Sequence, residues 1–446
     1  MRLEKSEFGI LVMGGKMQHI FKYKDKYYML ENETLKFYKV PSKFNEALDS
    51  QIPSDLDKIA ENIHVEVSKE KYTLVENDPE LCNRLVLNLT DQCNLACKYC
   101  YAERGNYGQN NPCEKMSGET VEAAVEKVLS LYPKGIKQIQ FFGGEPLVNK
   151  AVMKHAIEYI KAATDDRGLE RPIFTMVTNG ILIDDEMIDL FNREFTSVTI
   201  SVDGSKEVND SMRVFRGGEG SVFGSVSAVI KKIRNSDKKF YLCIEGTIHD
   251  AHIREFEETG EMQSYNALRA LEPDIIHISP MISEDTLNDK YKDFFKKWVV
   301  KEMESGVSNV KTRSIASLLC AAKEKKIYGN GCGAVHTDLA VDVTGDMYPC
   351  FMFIGSERFK LGNVNDSNSE LIARKVEVRK TLSRANENEV CNQCWVKPMC
   401  NKSYGHCIGA RYLATGHIER PKSEICNISK CVLETAFAEV YERYGK

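Results

Sequence analysis

No stretch of this 446-residue chain approaches the ~18 consecutive apolar residues that a bilayer-spanning helix needs, so no transmembrane helix is expected. Its first residues, Met1 to Glu7, lack the apolar core of a secretion signal, and a cytoplasmic location is expected. There is no excess of either charge: 60 Lys and Arg stand against 65 Asp and Glu, a net charge of −5. A strong nucleic-acid footprint is therefore missing, and neither nucleic acid nor membrane is expected as a partner. Hydrophobic residues make up 42%, ample for packed cores, and the length suggests about three domains.

Cysteine is abundant, with 15 in all. In a reducing compartment these argue for metal rather than for disulfides. Cys93, Cys97 and Cys100 form a C-x3-C-x2-C triplet in Leu89–Tyr101, and nine further cysteines follow residue 319. Cys82, Cys113 and Cys243 are read as buried or incidental thiols. A structural zinc site wants four ligands, usually as two pairs, and the triplet has no nearby fourth Cys or His. Three thiolates at this spacing can instead ligate three irons of a [4Fe–4S] cube and leave the fourth open to a substrate or cofactor.

With Tyr99 just before the last cysteine, the triplet resembles that of the radical S-adenosylmethionine (SAM) superfamily. Gly143-Gly144-Glu145-Pro146, after the apolar run Gln138–Phe142, resembles that family's motif for the SAM amino group. Glycines allow backbone carbonyls to approach a ligand, and Glu145 supplies a negative charge for an ammonium. The alternative is an ordinary strand-ending turn. Ser201-Val202-Asp203-Gly204 followed by Asn209-Asp210-Ser211-Met212-Arg213 resembles a further segment of the family. There the serine approaches the ribose or amino group and the arginine pairs with the SAM carboxylate, as an Arg fork suits. A surface salt bridge is the other reading of Arg213. Thr178-Asn179-Gly180 closes another strand, and Asn179 is expected at the same mouth.

Residues 81–308 alternate strand and helix. Strands are expected at Arg84–Leu89, Gln138–Phe142, Ile173–Val177, Ser197–Val202, Lys239–Glu245 and Ile275–Ser279, with helices between them such as Ser117–Leu131 and Glu186–Phe191. The expected class is α/β, and six β/α units match the partial (β/α)6 TIM barrel of the family, whose strand C-termini carry the active site. Residues 1–80 read as strands at Phe8–Met13, His19–Tyr23 and Tyr27–Leu30, then helices, one starting at Asn32 or Glu33 and one at Ser54–Ala60. This suggests a winged-helix-like module, similar to the leader-peptide recognition domain of peptide-maturing radical SAM enzymes. Such a domain binds a leader peptide as an added strand. A DNA-binding winged helix or a structural appendage are the alternatives.

Residues 309–446 resemble the SPASM extension, which holds two auxiliary [4Fe–4S] clusters. Cys332 and Cys350 fit its C-x9–15-G-x4-C element through Gly345, and Cys391, Cys394 and Cys400 fit C-x2-C-x5-C. The next step departs from the pattern: six residues, not three, separate Cys400 from Cys407. The resemblance assigns Cys332, Cys350 and Cys407 to the first auxiliary cluster, and Cys391, Cys394, Cys400 and Cys426 to the second. Cys431 rivals Cys426, and Cys320 is another possible ligand of the first cluster. If the first cluster has no fourth protein thiolate, its open iron can take a substrate cysteine. His336 and His406 lie near these cysteines and are read as surface or supporting residues.

The resemblance implies three [4Fe–4S] clusters, SAM, and an external electron donor such as flavodoxin or ferredoxin. It implies a radical SAM oxidoreductase: one electron cleaves SAM, and the 5′-deoxyadenosyl radical abstracts a hydrogen from an unactivated carbon. The best-fitting activity is a thioether-forming maturase of sactipeptide or ranthipeptide type, acting on a ribosomally made precursor. The runner-up is an anaerobic sulfatase maturase. Those enzymes place an aspartate base directly after the cysteine equivalent to Cys350, where this chain has Phe351. An iron–sulfur redox-sensing regulator is a third reading, which the charge balance disfavours.

Overall fold

The computed structural model describes residues 10–13, 16–32, 34–50, 71–107, 114–282, 289–328, 332–402, 407–419 and 423–445. Its centre is a nine-stranded sheet. Six strands run parallel and in chain order: β6 (Leu85–Asn88), β7 (Gln138–Phe142), β8 (Ile173–Thr178), β9 (Phe195–Ser201), β10 (Tyr241–Ile248) and β11 (Ile275–Pro280). These are the six strands the alternating pattern predicts, with ends that coincide or shift by up to three residues. Ser117 caps the first intervening helix, Gly118–Leu131, by accepting from the Thr120 amide, and Asp184 caps Asp185–Glu194 in the same way through Met187.

The sheet is open. On the far side of β6 lie β13 (Leu339–Val341), parallel to it, then β14 (Asp346–Tyr348) and β15 (Gly362–Asn363), both antiparallel. The edge that would have to meet β11 for closure is thus taken by the cysteine-rich region, and no closed barrel forms. β13 and β14 form a hairpin, with Gly345 at φ 87° in its turn.

The two faces of the sheet differ. Leu85, Leu87, Ile139, Phe141, Phe174, Met176, Val198, Ile200, Leu242, Ile244, Ile276 and Ile278 are buried in the hydrophobic core. The alternate positions carry Gln140, Thr175, Thr199, Ser201, Glu245, Thr247, His277 and Ser279. In-register pairing places Ser201, Glu245 and His277 side by side across β9, β10 and β11.

The N-terminal region is a four-stranded antiparallel meander: β1 (Ile10–Met13), β2 (Lys16–Tyr23), β3 (Lys26–Glu31) and β4 (Lys36–Lys39), followed by a helix at Asn45–Ser50. Where a helix starting at Asn32 or Glu33 is expected, the chain turns and forms β4 instead. Leu35 takes φ 54° in that turn, and Phe37 on β4 stacks on Tyr28 at 5.5 Å and Phe437 at 5.2 Å. Aromatic packing between distant segments outweighs the weak local helix signal. The helix expected at Ser54–Ala60 lies outside the described residues.

The meander docks on the last helix, Ser423–Tyr444, through Tyr28, Phe37, Phe437, Ala438 and Tyr441. Tyr23 and Lys24 reach Glu439 on that helix. His19 is fully buried, stacks on Trp395 at 3.8 Å and bonds Glu434 at 2.8 Å. β5 (Thr73–Val75) and β12 (Lys326–Tyr328) pair in parallel and tie the two ends of the chain together again. Among the described residues no helix is long and apolar enough to cross a membrane.

Candidate active site

The cysteine triplet occupies the loop after β6, at the C-terminal end of the parallel strands. Two neighbours hold that loop. Gly144 and Glu145 donate from their amides to the carbonyls of Thr90 and Gln92, each at 2.8 Å. On the other side, Ala96 and Lys98 donate to the carbonyls of Val214 at 2.8 Å and Met212 at 2.9 Å. The three motifs singled out in the sequence therefore meet through backbone hydrogen bonds.

This contact explains the paired glycines. A Cβ on Gly144 would lie 2.4 Å from the Gln92 carbonyl oxygen, and one on Gly143, at φ 146°, would lie 2.6 Å from that of Thr90. The glycines let β7 approach the cysteine loop, a closer constraint than ligand access. Gly144→Ala is expected to cost about 1–3 kcal/mol and to lower the iron held by the triplet, read by urea unfolding and an iron assay.

Glu145 is buried, and its carboxylate is occupied by protein donors. Oε1 accepts from the Leu147 amide at 3.0 Å and the Thr178 hydroxyl at 2.7 Å, and Oε2 accepts from the Asn179 amide at 2.7 Å. Burial raises its pKa, and these donors pull it back. Glu145 thus joins β7 to the turn after β8, and it caps the short helix that begins at Pro146. Asn179 in that turn donates to Asn94 at 2.7 Å and lies 3.8 Å from the Cys93 sulfur.

Asp203 is fully buried at the end of β9. It accepts from the Tyr99 hydroxyl at 2.6 Å and the Thr247 amide at 3.0 Å, and it forms an ion pair with Arg213 Nε at 3.1 Å. Arg213 also lies over the Tyr99 ring, 5.5 Å from its centroid. Burial works against its charge, yet Asp203, Tyr99 and Cys97 together raise its pKa. Its carboxylate partner in this structure is Asp203, not a solvent-exposed acid. Ser201 is half-buried on the polar face beside this group.

Sequence reasoning missed His249 and His252, which flank the same network. His252 donates from Nε2 to the Asp203 backbone carbonyl at 2.8 Å. His249 lies 6.0 Å from the Tyr99 ring, and its Nε2 is buried without a hydrogen-bond partner. Burial, with His252 adding, lowers its pKa to about 3. A histidine directly after a strand that ends near the motifs was the available signal.

Fourteen cysteines are described, and all are free thiols. Cys93, Cys97 and Cys100 are half-buried and lie within electrostatic reach of one another; burial pushes Cys93 up to about 12. Cys332, Cys350 and Cys407 form a second group beside Arg84, and burial pushes Cys350 up to about 12 and Cys332 to about 11. Cys391, Cys394, Cys400 and Cys426 form a third. Thiols so placed stay neutral unless a cation compensates them, which is what metal coordination does. No three or more His, Cys, Asp or Glu side chains among the described residues converge on a site for a single metal ion. Groups of three or four thiols are the donor sets an iron–sulfur cube takes.

Cys431 stands apart. It is buried against the helix Asp289–Glu304, with its thiol 3.1 Å from the Ile428 carbonyl. Cys320 is exposed on the helix Arg313–Glu324 and lines a surface pocket of about 360 Å³ with Asp274 and Lys311. Cys82 and Cys243 are buried; Cys113 and His406 lie outside the described residues, and His336 is half-buried. Phe351, after Cys350, packs on Phe142 at 4.7 Å, so the second thiol group overhangs the polar face of the sheet.

Comparison with known proteins places this geometry. Residues 87–259 match the Radical SAM superfamily, and residues 332–395 match the SPASM iron–sulfur cluster-binding domain. The chain contains a radical SAM domain and a SPASM domain. Its cofactors are [4Fe–4S] clusters and SAM, and three clusters fit this domain pair. An uncharacterized protein of Methanocaldococcus jannaschii is 31% identical over 32% of this chain and 46% of its own length. A serine-type anaerobic sulfatase-maturating enzyme of Bacteroides thetaiotaomicron is 23% identical over 75% of this chain and 84% of its own. The radical SAM cyclopropyl synthase TigE of Paramaledivibacter caminithermalis is 23% identical over 82% and 76%. Among solved structures, anSMEcpe with bound AdoMet superposes with a TM-score of 0.65 at 21% identity, covering 81% of this chain and 94% of that one. Streptococcus suis SuiB bound to precursor peptide SuiA gives 0.52 at 12%, covering 88% and 94%.

Proposed function

We propose that this chain is a peptide maturase that joins a cysteine sulfur to an acceptor carbon in a ribosomally made precursor. The observation that carries the reading is the second thiol group. Cys332, Cys350 and Cys407 come together with no fourth cysteine beside them among the described residues, which fits an auxiliary cluster with one iron left for a substrate thiol. The triplet Cys93, Cys97 and Cys100 would hold the SAM cluster, and Cys391, Cys394, Cys400 and Cys426 the second auxiliary cluster. Bound there, the cofactors supply a carbon radical that takes a hydrogen atom from the substrate.

The chain's own residues would do the rest. Asn179 and Asn94 steady Cys93, and Arg213, held by Asp203, offers its free guanidinium nitrogens to the SAM carboxylate. Ser201 stands where a ribose would pass, and the backbone around Gly143 and Gly144 is placed for the SAM amino group. Phe142 and Phe351 exclude water between the two thiol groups. The meander of residues 10–39 would bind the leader as an added strand, docked on the last helix, Ser423–Tyr444, which carries Cys426 near its start. Partial-barrel geometry around a peptide, a cytoplasmic setting and a flavodoxin- or ferredoxin-type donor belong to the same reading.

A second reading is a carbon–carbon ring closure, favoured by the similarity to a cyclopropyl synthase across 82% of this chain. One assay separates the two. Reduced, reconstituted enzyme is incubated with SAM and a cysteine-bearing precursor. Thioether formation removes two hydrogens, about 2 Da, and leaves no thiol to alkylate. Ring closure gives the same mass loss with the thiol still reactive, and formylglycine formation gives an aldehyde.

A further inference from the structure

Glu245 and His277 are the titratable acid and base on the polar face of β10 and β11. They face each other in register on β10 and β11, and His277 Nδ1 lies 3.2 Å from Glu245 Oε1. Each side chain is about one-third exposed, at 37% for His277 and 34% for Glu245. Despite burial, His277, Arg213 and Arg313 hold the Glu245 carboxyl below its usual range. Tyr101 lies within electrostatic reach of Glu245, of Cys100 in the triplet and of Cys350 in the second thiol group. Tyr101 thus links the pair's side of the sheet to both thiol groups.

A mutually satisfied ion pair is the ordinary reading, but it occupies only one ring nitrogen. Nδ1 is held by the carboxylate, and the ring is 37% exposed, within reach of a molecule on the polar face. A carboxylate on Nδ1 fixes the tautomer that carries the proton there and leaves Nε2 as an acceptor. Phe351, beside the second thiol group, carries no titratable group, whereas the polar face of the sheet carries this carboxylate–imidazole pair.

We propose that His277, oriented by Glu245, is the general base that deprotonates the substrate. This rests on the reading of the substrate as a cysteine-bearing peptide. The proton leaves the substrate S–H and passes to Nε2, which gives a thiolate and an imidazolium. The Nδ1–H remains on Glu245, and no electron moves in this step.

Diethyl pyrocarbonate, which acylates neutral imidazole nitrogen, tests this on the holoenzyme, with sites mapped by mass spectrometry. His277 should be modified, and modification should slow severalfold in Glu245→Gln. His277→Gln should keep SAM affinity and peptide-free SAM cleavage, while crosslinking of a cysteine peptide that the wild type processes falls about 100-fold. An unreactive His277, a rate indifferent to Glu245→Gln, or loss of SAM cleavage in His277→Gln would each overturn the assignment; the last would place the pair in the SAM site. If the wild type crosslinks no cysteine peptide, the proposed function fails, while the acylation and SAM arms still decide whether His277 is a free base.

Discussion

Replacing Cys93, Cys97 and Cys100 together by alanine is expected to bring reductive cleavage of SAM below detection. The three thiols sit on one loop, clamped by Gly144 and Glu145 on one side and by Met212 and Val214 on the other. Among the described residues no fourth thiol groups with the triplet to substitute for a lost ligand. A cluster with fewer than three protein thiolates loses both its anchor and its differentiated iron. Chromatographic assay of 5′-deoxyadenosine after dithionite reduction reads the effect. Cys431→Ala is the control: its thiol packs against the Ile428 carbonyl, away from all three thiol groups, and cleavage should persist. Persistence in the triple variant would remove the site from its place in the chemistry.

The second large effect is expected at Asp203. Its side chain is fully buried and serves Tyr99, Thr247 and Arg213 at once. Asp203→Ala leaves a buried guanidinium without its counter-charge, which costs about 3–5 kcal/mol, more than the bonds lost on their own. Asp203→Asn keeps an acceptor for Tyr99 and should lose less. Urea unfolding and SAM titration measure both. The alanine variant should unfold at much lower urea and bind SAM poorly. A change below about 1 kcal/mol would mean that Arg213 is solvated and the network is not as described.

The parallel strands and the motifs were legible because they depend on local signals. Apolar runs of five or six residues ending in Gly-Gly, Asn-Gly or Asp-Gly mark strands and their exits wherever they occur. What failed depends on distant contacts. β4 is a strand because Phe37 meets Phe437, which lies 400 residues further along the chain. The sheet is extended by β13 at the side of β6, and nothing in the sequence of β6 announces a partner from the cysteine-rich region. Glu145 reads as a ligand for an ammonium, yet its oxygens are taken by Leu147, Thr178 and Asn179. A motif shows which residues matter, but not whether they touch the ligand or the loop that does.

The account rests on an iron–sulfur cube at Cys93, Cys97 and Cys100 with one iron left for SAM. Electron paramagnetic resonance of the anaerobically reconstituted, reduced protein tests it most directly. Adding SAM should alter the signal of the triplet cluster, and the signal and its response should both be lost in the triple alanine variant. Zinc bound at these thiols, or a cluster signal indifferent to SAM, would contradict the account.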